Sequence, residues 1–171
     1  MELTIEKGKH YDKKLFSTWP FFGKKEFKKI VRFDKTCEYD LPDYHQSNVN
    51  KLFGASFGFF AGHVNSIRFG WFWNETDKMI DLVAYSYDNK TRNWDAQMTF
   101  PLVAQVALGQ TVVCSINLTP THYNLLVESD GVQIGHTVAV PHGDISSWGM
   151  TMSLYFGGEM PAPHEMHITM E

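Results

Sequence analysis

Cysteine is nearly absent: Cys37 and Cys114 are the only two in 171 residues. That excludes a fold held by a disulfide framework, and without secretory context the pair reads as two separate buried thiols. No run approaches the roughly 18 apolar residues a membrane span needs. The first residues, MELTIEKGKHYDKK, do not read as a signal peptide, having no apolar stretch with a small-residue cleavage site. The expectation is a soluble cytoplasmic chain, with a virion component as the other location. Signatures of chemistry are missing too. There is no G-x-S-x-G elbow, Walker loop, dinucleotide fingerprint or C-x-x-C pair, so no cofactor is expected. Nothing resembles a recognition helix, a zinc finger or an RNA-binding aromatic motif, which argues against specific reading of nucleic acid.

Aromatic residues are plentiful. Thirteen Phe, seven Tyr and five Trp make 15% of the chain, and 43% is hydrophobic; such a composition buries a core and favours sheet over helix. At this length one domain is expected. The central stretch from Phe53 to Asp88 reads as three strands in sequence. Within it Ile67, Phe69, Trp71 and Trp73 alternate with Ser66, Arg68, Gly70 and Phe72, the period of two that sends neighbours to opposite faces of a sheet. The first set belongs to a core and the second to a candidate surface.

The same pattern extends both ways. A first strand is possible at Tyr11–Phe16, and FKKIVRFD (27–34) sets Val31 and Phe33 against Ile30 and Arg32. The polar stretch Cys37–Lys51, interrupted by Pro42, reads as a long loop, a length that usually signals function or mobility. After a turn at 88–93, Gln97–Leu108 resumes alternation, with Pro101 marking an edge or bulged strand. Two strands meet across Asp130-Gly131, a preferred hairpin dipeptide. MTMSLYF (150–156) and HEMHITME (164–171) supply the last strands. Ten to twelve strands and no amphipathic helix predict an all-β fold, an antiparallel two-sheet β-sandwich.

Charge divides the chain unevenly. Residues 1–35 hold ten Lys and Arg against five Asp and Glu, a balance of +5 that leaves −9 for the rest. Residues 1–26 are therefore read as a basic N-terminal arm or edge strand, and 27–171 as a single sandwich domain. Such an arm could dock on the acidic body of another copy, so a homo-oligomer is plausible.

Four segments, NSIRFGWFW, AYSYDN, LGQTVVCSINLTPTHYNLLVESDG and LYFGGEMPAPHEMHI, resemble small concanavalin-like or jelly-roll proteins of bacteria and their phages, a largely uncharacterised group. The resemblance spans most of residues 28–171. It implies a curved sandwich whose concave face often binds carbohydrate.

Three constellations invite chemistry. NETDKMID offers Glu75, Asp77 and Asp81, close to the carboxylate strand of concanavalin-like glucanases. Its last position is Asp, however, and its first half reads as a solvated turn. Of eight histidines none falls at a metal-ligand spacing; His164 and His167, three apart on a strand, face opposite ways. His45-Gln46-Ser47 and His167-Ile168-Thr169 match a twin phosphodiesterase pattern short enough to arise by chance. No metal is expected. The third set, Arg68, Tyr85, Tyr87, Trp94, Tyr155 and His164, joins aromatic planes that stack on sugars or bases to groups that orient hydrogen bonds.

The expected function is non-catalytic binding of carbohydrate or a related polar ligand on one sheet face. The alternatives are a structural, virion-type assembly protein using the basic arm, and a glycoside hydrolase or lyase on the same face.

Overall fold

The alternation at residues 66–73 becomes a two-sided strand. Ile67, Phe69, Trp71 and Trp73 are all buried in the core, while Arg68, Gly70 and Phe72 face the other way. The computed structural model describes residues 1–12, 18–59, 61–93, 100–135 and 138–171. Fourteen strands follow in chain order: β1 (Glu2–Ile5), β2 (Pro20–Phe22), β3 (Glu26–Phe33), β4 (Asn50–Phe57), β5 (Ser66–Asn74), β6 (Met79–Asp88), β7 (Thr91–Arg92), β8 (Leu102–Val106), β9 (Thr111–Leu118), β10 (His122–Ser129), β11 (Val132–Gln133), β12 (Val138–Pro141), β13 (Trp148–Met152) and β14 (Met166–Met170). Among the described residues there is no α-helix, only short 3-10 turns at Lys35–Cys37, Asp43–Ser47 and Ala61–His63. No helix among the described residues is long and apolar enough to cross a membrane.

Two seven-stranded antiparallel sheets face each other. One runs β1-β14-β3-β9-β10-β11, with β12 also on β10; the other runs β2-β13-β4-β5-β6-β7, with β8 also on β6. Rings from the two sheets meet between them: Phe33 lies 5.2 Å from Trp71, and Phe57 stacks on Tyr123 at 5.7 Å. Each such side chain contributes about 1.5–3 kcal/mol through burial, which makes this layer the main source of stability.

Local chemistry explains the strand boundaries. At Asp130-Gly131 both residues have positive φ, 51° and 76°, closing the β10–β11 hairpin as this dipeptide prefers. β8, which follows Pro101, pairs only with β6 and does so across a register shift at Leu82–Val83. Residues 2–5 and 20–22 are edge strands, β1 on β14 and β2 on β13.

Three expectations change. Strands outnumber the ten to twelve expected because β7 and β11 are only two residues long. MTMSLYF is not one strand: β13 ends at Met152, and Tyr155 makes isolated bridges to Tyr11 and Lys51. The stretch 37–51 is not all loop, since β4 begins at Asn50. The segment before it is pinned to the core. The buried Tyr39 hydroxyl accepts from Asn50 Nδ2 (3.0 Å) and Trp73 N (3.3 Å), and Gln46 Nε2 donates to the Tyr39 and Trp73 carbonyls. Of the possible strand at 11–16, Tyr11 and Asp12 form isolated bridges; the remainder lies outside the described residues, as does the start of the 97–108 run.

Cys37 and Cys114 are free and buried, and burial pushes both thiols up in pKa. Neither is a ready thiolate nucleophile.

Candidate functional site

A cleft of about 1250 Å³ opens over the outward face of β4, β5, β6 and β13. Parity decides what lines it. On β6, Ile80, Leu82 and Ala84 fill the core while Asp81, Val83 and Tyr85 line the cleft; on β5, Arg68 and Phe72 do so. On β4 the simple alternation breaks. Lys51 pairs with Gly70 and Phe53 with Phe69, so Leu52 is an extra residue in a bulge. The bulge lets Leu52 and Phe53 both enter the core and leaves Lys51 in the cleft.

Gly70 makes the room that Lys51 and its neighbours need. A Cβ there would overlap Val49 Cγ1 and come within 2.9 Å of Val83 Cγ2. Gly54, opposite Arg68, allows similarly close approach, since its Cβ would run into the Ile67 carbonyl. Residues 54–57 thus run as strand.

Positive charge dominates the floor. Arg68 is only 7% exposed and donates from Nη2 to the Gly62 carbonyl at 2.9 Å, while its Nε has no hydrogen-bond partner. The guanidinium lies 5.8 Å from the Tyr85 ring, its cross-strand neighbour. Lys51 Nζ lies 4.9 Å from the same ring and 5.7 Å from that of Tyr155, and donates to the Val49 carbonyl at 2.8 Å. Burial, with Arg68 and Arg92 adding to it, pushes Lys51 down to about 8. His63, at the cleft wall, is pushed down by burial and then by Arg68, Arg92 and Lys51. Burial pushes the Tyr85 phenol up, so it is a neutral hydrogen-bonding group.

Asp81 is the one carboxylate among the described lining residues. Its two oxygens accept from Asn74 Nδ2 (3.1 Å) and Gln105 Nε2 (2.9 Å). At the mouth, Tyr11 and Phe59 are 58% and 71% exposed. Tyr11 packs edge-on against Tyr155 at 5.0 Å, and His10 stacks on the Tyr155 ring at 5.3 Å.

Of the residues singled out from sequence, Arg68, Tyr85 and Tyr155 line this cleft. Arg68 and Tyr85 are nearly buried in its floor, not spread on an open surface. Tyr87 is buried beside them, its hydroxyl accepting from Arg92 Nε at 2.6 Å and its ring edge-on to His63. His164 is elsewhere, bonded through Nε2 to the Thr36 carbonyl at 2.8 Å. Trp94 lies outside the described residues.

Sequence reasoning missed Lys51, His63 and Arg92. Lys51 was hidden in a stretch that reads as loop, but the outward parity of β5 and β6 would have found its neighbours. Among the described residues no group of three or more His, Cys, Asp or Glu could hold a metal ion. Glu75 and Asp77 sit in the turn between β5 and β6, apart from β4 and the cleft centre. His45 belongs to the 3-10 turn at 43–47 and His167 to β14.

No protein-family model matches the chain, and no curated protein matches it either. Its shape does have counterparts. An alginate lyase from Klebsiella pneumoniae aligns with a TM-score of 0.57 at 11% identity over 86% of this chain, which spans 58% of the lyase. A functionally unknown protein from Saccharomyces cerevisiae aligns at 0.56 and 8% identity, over 99% of this chain and 82% of that one. At such identities the likeness concerns the fold alone, a concanavalin-like jelly-roll sandwich.

Proposed function

We propose that the chain is a binding module that holds a carbohydrate or related polar ligand in the cleft over β4, β5, β6 and β13 without turning it over. The observation that carries this reading is the division of the cleft into an aromatic mouth and a hydrogen-bonding floor. Tyr11 and Phe59 offer exposed ring faces, while Arg68, Lys51 and Tyr85 offer fixed donors below. A sugar has that same pairing of apolar C–H faces with a rim of hydroxyls. The only lining carboxylate described, Asp81, is bound by two amides. Glycoside hydrolysis requires two carboxylates flanking the scissile bond, so binding is favoured over hydrolysis. That one fold counterpart is an alginate lyase supports a saccharide as the ligand of this scaffold.

The test is calorimetric titration of the full chain against a panel of neutral and acidic oligosaccharides, followed by prolonged incubation. Saturable binding with intact ligand is expected. New reducing ends would replace the reading with hydrolysis, and the ultraviolet absorbance of a conjugated enoate would replace it with a lyase.

Assembly is a second reading, favoured by the exposed Trp19 and Phe22 at the edge strand β2. Light scattering behind size exclusion, at low and high salt and with residues 1–26 removed, separates it. A salt-sensitive oligomer lost with the arm would favour assembly.

A further inference from the structure

We infer that the ligand of this cleft is acidic: a saccharide whose carboxylate or sulfate group sits against Arg68 and Lys51. This rests on the carbohydrate reading above and adds the charge of the sugar to it. Arg68 is a guanidinium more than nine-tenths buried, with one hydrogen bond to a neutral carbonyl and an orphaned Nε. Lys51 lies against the same Tyr85 ring, its ammonium bonded, among the described residues, to the Val49 backbone carbonyl alone. No described ion pair involves either. The ion pairs among the described residues join Met1 to Glu171 and His167 to Glu2 and Glu165, all away from the cleft.

Asp81 does not supply the missing charge. Its oxygens face Asn74 and Gln105, and no ion pair among the described residues joins it to Lys51 or Arg68. Buried charges in proteins are normally paired, because an unpaired one loses its hydration without return. Two cations at one ring, with no acid between them among the described residues, therefore leave a site that an anion completes. Carboxylates and sulfates suit it, since a guanidinium binds planar or multidentate oxyanions through several N–H groups and an ammonium adds a point charge. A neutral glycan would gain the ring contacts but leave both charges unanswered.

The experiment uses matched probes: uronate oligomers beside their methyl esters, and sulfated oligomers beside their desulfated forms, titrated into the full chain by calorimetry. The acid is expected to bind at least about tenfold tighter than its neutral counterpart, the scale on which loss of a desolvated charge contact reads out. In Arg68→Gln and Lys51→Gln that preference of acid over neutral form should fall to about threefold or less, even where the neutral form also binds more weakly. The two variants act separately, so one that fails to fold leaves the other to decide. Equal binding of acid and neutral forms would overturn this inference and leave the carbohydrate reading standing. No binding of any saccharide would overturn both. Whether carboxylate or sulfate shows the larger preference identifies the source of the charge.

Discussion

On the outward face of β1, β3 and β14, His167 lies 3.0 Å from Glu2 and 3.2 Å from Glu165, and Arg32 lines a small cleft with Glu2 and Asp34. On the outward face of β4, β5 and β6, Lys51 and Arg68 have no carboxylate partner among the described residues. The inner faces of the two sheets are alike, both apolar and sealed against each other. Only the outer faces differ, and they differ in how charge is answered. Where charges are exposed and mixed in sign the face is solvated and self-satisfied; where they are sunk among rings and of one sign, something outside the chain is needed to answer them.

The contrast can be broken most severely at Gly70. Gly70→Val would push branched carbons into Val49 and Val83, and such overpacking costs about 1–3 kcal/mol. Denaturant unfolding should show that loss, and binding in the cleft should fall with it as β4 is displaced. Valine at Thr111, an exposed position on β9 of the other sheet, should leave stability within about 0.5 kcal/mol of wild type.

Next in size is Arg68→Met. Removing a buried, incompletely bonded charge for an apolar chain of similar length is expected to raise stability by about 1 kcal/mol, at the cost of ligand binding. Chemical unfolding measures the first and titration with an acidic oligosaccharide the second. A variant that lost stability would mean that the Gly62 bond and the Tyr85 contact outweigh the missing partner.

Much of this division was written in the alternation of residues 66–73, where parity separates Trp71 and Trp73 from Arg68 without any further information. Parity fails where the backbone breaks it. The extra residue Leu52 shifts β4 by one, so Lys51 reads as the end of a loop. The turn at Ala61–His63 lies in a connection between two of the expected strands, where alternation says nothing, and so conceals His63. Tyr155 lines the cleft although its strand ends at Met152, because its bridges to Lys51 and Tyr11 hold it in place. His164 came from loop position alone. Its bond to Thr36 depends on which strand ends lie together in space, and sequence order does not give that.

A third effect separates the faces by pH. Lys51, lowered to about 8 in the folded chain from its ordinary 10.5, binds fewer protons there than in the unfolded chain between those values. Its contribution to stability is therefore least favourable below pH 8 and rises with pH across that window. Among the described residues the groups facing it are Arg68 on β5, Arg92 on β7, Tyr85 on β6, Tyr155 after β13 and His63 in the turn before β5, while Asp81 on β6 is turned to Asn74 and Gln105. The raised phenol of Tyr85 works the other way above about pH 10, where the unfolded chain releases that proton first. The difference between wild type and Lys51→Met isolates the lysine: wild type should gain stability relative to the variant as pH climbs from 8 to 10. An acidic ligand should flatten this difference by holding the ammonium charged.

The smallest effect belongs to the self-satisfied face. Glu2 is largely exposed and His167 about a third exposed, so Glu2→Gln should cost at most about 1 kcal/mol, and less in high salt. Salt should act in the opposite sense on the cleft. Raising ionic strength relieves the repulsion between Lys51, Arg68 and Arg92 while it weakens capture of an acidic ligand, so stability of the free chain should hold or rise as affinity falls. Measuring unfolding and binding across one salt series, in wild type and in Glu2→Gln, compares the faces directly. If both respond to salt with the same sign, the cations of the cleft have a partner within the chain, and the charge asymmetry between the two faces disappears.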